Sequence, residues 1–203
     1  MANNVTCRIL LIGNESINQL NDQIKQRISD DILINTDFDD IYRVGRIFYG
    51  RSNEDEPLGY DEVGAKWIYD DQGYGGLGFV SGWDPVYKFQ DYLALHASKL
   101  DPKVIVLMEY EDESPEFVGA RYALMNSGNV VGYESKTDLS DILVTDQSSL
   151  DDEMNENNET GNYREIILWE DLTSKIDECK DAAFKAMKKE NPWIPVDYKK
   201  IST

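Results

Sequence analysis

The 203-residue chain has one histidine, two cysteines and six prolines, and its 20 basic side chains face 39 acidic ones. Each shortage excludes something. A chain of this length buries about 70% of the surface it exposes when unfolded, so a core forms without staples and the two cysteines are no scaffold. Neither Cys7 nor Cys179 belongs to a C-x-x-C pair, which leaves structural zinc without its ligands, and no serine sits in a G-x-S-x-G elbow for acyl transfer. Apolar runs are short of the ~18 residues that a membrane-spanning helix needs. The formal net charge of -19 sets the chain against bare nucleic-acid phosphates and anionic lipid, and leaves basic or neutral surfaces as partners. With cysteine so scarce, and with an opening MANNVTCRILLIG that has neither a basic region nor a long apolar one, we expect a cytoplasmic location and no membrane association.

The negative charge is unevenly spread. Residues 134–161 hold nine acidic groups against one basic, whereas residues 162–203 are balanced. After the modest apolar cluster Leu139, Ile142, Leu143 and Val144, this stretch turns polar and aperiodic, so Ser148 to Asn162 reads as a mobile linker unable to offset its own backbone entropy. The expected organisation is a domain over 1–134, an acidic linker or loop over 135–162, and a strand and helix over 163–203 that pack on the same domain.

Val5 to Ile12 is β-branched and apolar and stops at Gly13, a buried first strand. Ser16, with Gln19 three residues on, is the expected cap of a helix striped by Ile17, Leu20, Ile24 and Ile28. Residues 32–62 alternate short apolar pieces with Asp and Gly and read as a loop with short elements. AKWIYDD and GFVSGW, separated by QGYGG, predict a hairpin. Asp84 and Pro85 then occupy the expected N-cap and first position of a helix whose face is Val86, Phe89, Leu93 and Ala97. KVIVLMEY, FVGARYALM and NVVGYES predict an antiparallel meander. YREIILW reads as a last strand, and Leu172, Ile176, Cys179, Ala183 and Met187 stripe a final helix ended by Pro192.

This order, β-α-β-β-α-β followed by further antiparallel strands and a helix, is that of an α+β, ferredoxin-like split βαβ sandwich. Five stretches carry a further resemblance: ANNVTCRILLIG, DFDDI at Asp37 to Ile41, GAKW at Gly64 to Trp67, FVSGWDPV at Phe79 to Val86, and YEDESPEFVGARY at Tyr110 to Tyr122. They resemble the YubB-type family of ferredoxin-like proteins, carried on bacteriophages and plasmids, whose members have no assigned function. The resemblance spans about residues 2 to 125. It departs at Val63 and Val86, where the family has tryptophan and proline, and it supplies no catalytic residue. It implies a mobile-element origin, hence the cytoplasm of a host cell.

The residues offer little to a catalytic reading. His96 lies off the apolar face of its helix, as a surface or boundary histidine does. Asp37 and Asp39 form a D-x-D after an apolar run, a pattern able to hold Mg²⁺, yet no Gly-rich phosphate loop accompanies it and acidic pairs arise easily in this composition. Asp70 and Asp71, in DDQGYGG, lack the alternating ligands of a calcium loop and read as a turn. Trp67 and Trp83 come from the two hairpin arms and are expected to meet on one sheet face, mainly as core. Together with Tyr69 and Tyr74 they also form, beside Asp37, Asp39, Asp70 and Asp71, the candidate interaction surface. No cofactor and no enzymatic activity are expected. The first functional reading is an acidic module that binds a basic host protein, its charge standing in for that of nucleic acid. Behind it stand a structural or virion-associated subunit and a Mg²⁺-dependent enzyme using Asp37 and Asp39.

Overall fold

A computed structural model describes residues 4–34, 65–71, 76–112, 116–139 and 160–195, with side chains outside the description at 24, 25, 27–34, 65–71, 76 and 160–171. In chain order the elements are β1 (Asn4–Ile12), α1 (Glu15–Ile34), β2 (Ala65–Asp71), β3 (Gly76–Gly82), α2 (Tyr87–Ala97), β4 (Ile105–Asp112), β5 (Phe117–Asn126), β6 (Asn129–Asp138) and α3 (Thr160–Glu190). The six strands form one sheet in the order β2-β3-β1-β4-β5-β6, and every neighbouring pair is antiparallel. The fold is therefore mixed α+β.

Alternation along β1 sorts the two sheet faces. Val5, Cys7, Ile9 and Leu11 join Leu77, Phe79, Val106, Met108 and Tyr110 beneath Ile17 of α1 and Phe89, Leu93, Ala94 and Ala97 of α2. Ile12 instead joins Ile105, Leu107, Ala120, Tyr122, Leu124 and Tyr133 beneath Cys179, Ala183, Phe184 and Met187 of α3. Both faces of β4 are thus covered, which is why its first four residues, Ile105 to Met108, are an apolar run rather than an alternation. The stripes expected on α2 and α3 are the ones buried, with Leu172 at the partly covered end of α3. The expected hairpin and meander are also present, and β5 turns into β6 through Ser127 and Gly128 at φ of 51° and 88°. Two positive φ values in a two-residue loop match the right-handed twist of the flanking strands.

Four local expectations differ from what is observed. Asn14, not Ser16, caps α1: its Oδ1 accepts the N–H groups of Ser16 at 2.9 Å and Ile17 at 3.4 Å. Asp84 is not the cap of α2, which begins at Tyr87 behind Val86 with no side-chain cap. The residues Tyr163 to Trp169 are not a strand but lie inside α3, where a continuous helical ladder runs through the β-like stretch. At the expected linker's edges, Ser135 to Asp138 belong to β6 and Thr160 to Asn162 open α3. Leu139 is buried beside Val118 and Ile176, while residues 140–159 of that linker and residues 35–62 of the irregular region lie outside the described residues.

One carboxylate fixes how α1 and α2 enter and leave the sheet. Asp101, buried between them, accepts the Asn14 N–H at 2.8 Å and the Lys103 N–H at 2.9 Å. Gly13 leaves it room, because a Cβ there would stand 2.9 Å from Asp101 Oδ2 and 2.7 Å from Ile17 Cγ1.

Candidate functional site

The link from β3 to α2 is short and tightly held. Ser81, fully buried, donates its hydroxyl to the Asp84 carbonyl at 2.6 Å, with the Val5 carbonyl of neighbouring β1 at 3.3 Å. Asp84 N–H donates to the Gly82 carbonyl at 2.9 Å, closing a γ-turn around Trp83, whose φ is 70°. Such a turn is strained for any residue with a Cβ. Its outcome is display: Trp83 is 63% exposed, the most exposed large apolar side chain among the described residues. Trp83 is thus held on a strained turn and kept out of the core.

One helical turn further on, the side chains become polar. Tyr87 of α2 and Tyr110 of β4 both donate their hydroxyls to Glu134 Oε1 on β6. To reach it, the Tyr110 ring crosses β5 over Gly119, where a Cβ would stand 2.2 Å from the phenol oxygen. Arg121 is the cross-strand partner of Glu134, yet its guanidinium turns away. It crosses Gly132, where a Cβ would stand 2.1 Å from Nη2, and donates to Gln90 Oε1 at 2.6 Å and Asp91 Oδ1 at 2.7 Å. Gln90 is fully buried and its Nε2 donates to the Val106 and Arg121 carbonyls, both at 2.8 Å, which fixes α2 over β4 and β5. Arg121 Cζ lies 5.6 Å from the Tyr87 ring centroid, and Lys136 Nζ lies 3.5 Å above the Phe117 ring. Burial, then the bond to Glu134, pushes both phenols well above the ordinary tyrosine range, so they remain donors at any neutral pH.

The expected surface residues are distributed as follows. Trp83 is exposed beyond the end of β3, so it does not meet Trp67 in the core; the register instead sets Trp67 opposite Val80. Trp67, Tyr69, Asp70 and Asp71 lie along β2, a sheet-edge strand, while Tyr74, Asp37 and Asp39 lie outside the described residues. His96 stacks on Tyr92 with ring centroids 4.2 Å apart. Both cysteines are buried and free, and burial pushes the Cys7 thiol from 9.0 up to about 12. Among the described residues, no group of three or more His, Cys, Asp or Glu is placed to hold a metal ion, and no helix is long and apolar enough to cross a membrane.

Reading from sequence missed Tyr87, Gln90, Tyr110, Arg121 and Glu134. A signal was available in FVGARY and NVVGYE, each a strand pattern interrupted by one glycine, which marks the close approach of another group. No family model, curated protein or solved structure matches this chain.

Proposed function

We propose that the chain is an acidic protein-interaction module of phage or plasmid origin, acting in the cytoplasm of a host cell and binding a basic host protein through the surface at the start of α2. The single observation that carries this reading is Trp83, displayed at 63% exposure on a turn whose φ of 70° is costly for tryptophan. A net charge of -19 supports the choice of partner, because it steers a basic surface toward the anchor and imitates the field of a phosphate backbone.

The same proposal covers the architecture. The four strands β2-β3-β1-β4, with α1 and α2 on one face, are a ferredoxin-like split βαβ sandwich, to which β5, β6 and α3 are additions. The crossover from β1 through α1 to β2 leaves a gap that β3 fills, and the crossover from β3 through α2 to β4 leaves one that β1 fills, the interleaving that defines that arrangement. The YubB-type resemblance supports the same reading.

The test is capture from a host lysate with the wild-type chain and with Trp83→Ala across a salt series. The expected result is one stoichiometric basic protein, released as salt rises and at least tenfold depleted with the variant, as loss of an interface tryptophan entails. Equal capture by both forms removes the basis of the proposal.

A further inference from the structure

We infer that Glu134 is the receptor for a lysine ammonium group of the partner, an inference that rests on the interaction reading and adds the chemistry of its second contact. Glu134 is exposed, and both phenol donors fall on the same oxygen, Oε1, occupying its lone pairs. Oε2 takes no hydrogen bond from any described residue. The cations that register brings nearest are both engaged elsewhere. Arg121, directly across the strand pair, is drawn over Gly132 to Asp91 and Gln90, and Lys136, two residues along β6, sits on Phe117. An opposite-charge cross-strand pair ordinarily closes on itself. Here the two glycines keep it open: Gly132 gives Arg121 its path away, and Gly119 gives Tyr110 its path in. The carboxylate is consequently oriented by two neutral donors and forms no ion pair with a described residue.

The geometry also selects between the two basic side chains. A guanidinium fork binds a carboxylate best through both oxygens at once, and Oε1 is already filled. A single open oxygen suits the compact ammonium of lysine, whose three donors rotate to meet it. The wall beside it is Tyr87, whose ring lies against the Arg121 guanidinium.

The experiment titrates the full chain at physiological salt with a short lysine-glycine repeat peptide and with its arginine counterpart, reading the Glu134 side-chain carboxyl carbon by NMR. Saturable movement of that resonance with the lysine peptide is expected, and its absence overturns the inference. Glu134→Gln keeps an oxygen for the two phenols and is expected to weaken the lysine peptide about fivefold, through loss of the charge-assisted bond. Glu178→Gln on α3, with the same change in net charge, serves as the control and is expected to leave affinity within about 1.5-fold, since a distant exposed charge is largely screened. The lysine peptide is expected to bind about threefold tighter than the arginine peptide. Equal weakening by the two variants, or tighter binding of the arginine peptide, overturns the assignment. The two readings fail separately: undiminished host-protein capture by Trp83→Ala removes the anchor and leaves the peptide titration standing, whereas Glu134→Gln behaving as Glu178→Gln removes the lysine receptor and leaves the anchor.

Discussion

At the scale of single residues, the two strand glycines of the candidate site differ in what they make room for. A Cβ on Gly119 meets the phenol oxygen of Tyr110 at 2.2 Å and its ring carbons at 2.3 and 2.6 Å, and that ring is 1% exposed and cannot retreat. A Cβ on Gly132 meets only the end of the Arg121 side chain, which can swing out. Gly119→Ala is therefore expected to cost about 2–3 kcal/mol in urea unfolding, as overpacking does, and Gly132→Ala about 1 kcal/mol or less. Trp83 gives the converse case. Because its φ is 70°, Trp83→Gly is expected to be about 1 kcal/mol more stable than Trp83→Ala, since only glycine adopts that backbone without strain. Equal stabilities for those two variants would show that the turn stores no strain. The Cys7 thiol yields a pH prediction. Its folded value, about 12, lies above the unfolded 9.0, so the folded state keeps a proton that the unfolded state loses. The associated stability is complete below pH 9.0 and is lost as pH rises toward about 12. Urea midpoints at pH 8 and pH 10.5 are expected to converge in Cys7→Ala relative to wild type.

At the scale of elements, ion pairs on α3 show how burial decides what a charge contributes. Lys180 and Glu109 pair at 2.7 Å with side chains 16% and 6% exposed, and Asp177 lies 3.4 Å from the same ammonium. Burial pushes the Lys180 ammonium down, but the Glu109 and Asp177 carboxylates outweigh it and hold it above its ordinary value. Lys175 and Glu178, one turn earlier, pair at 2.9 Å in the open. Lys180→Ala strands Glu109 beneath α3 and is expected to cost about 3 kcal/mol, whereas Lys175→Ala is expected to stay within about 0.5 kcal/mol. Thermal or urea unfolding of the two variants checks the contrast, and similar losses would contradict it. The helix starts teach a related point. The sequence pattern around Ser16 and Asp84 matches a capping rule, yet Asn14 caps one helix and no side chain caps the other. Ser81, held between β1 and the turn, takes the Asp84 carbonyl for itself, so the chain is still turning where the dipeptide signal places a helix.

At the scale of the whole molecule, the sheet depends on being covered from both sides. One face buries β1, β3 and β4 under α1 and α2, and the other buries β4, β5 and β6 under α3. Tyr133 and Asn191 bind β6 to α3 where the helix ends: Asn191 Nδ2 donates to Tyr133 Oη at 3.0 Å, and Tyr133 donates to Glu190 at 2.9 Å. A chain ending after Leu139 would bare Ile105, Leu107, Tyr122 and Leu124 together. Such a truncation is expected to aggregate or to bind a hydrophobic dye strongly, as exposed apolar faces do. A monomeric, cooperatively unfolding truncation would show that α3 is dispensable.

The sequence by itself determined the six strands of the sheet, the hairpin, the meander and the buried faces of α2 and the end of α3, because each depends on periodicity along a local stretch and apolar residues have one place to go. It also determined the net charge of -19. Only the tertiary structure decided that Trp83 leaves the core, because its exposure follows from a γ-turn pinned by Ser81 across the sheet, not from its neighbours in the chain. Likewise the Tyr87, Tyr110 and Glu134 cluster joins α2, β4 and β6, elements whose adjacency no local pattern records. The run Tyr163 to Trp169 is the sharpest case: seven residues with a strand-like composition become helix because they continue a ladder whose apolar stripe is fixed further along, on Ile176, Cys179, Ala183 and Met187. Local composition proposes such an element, and the helix it continues decides its form.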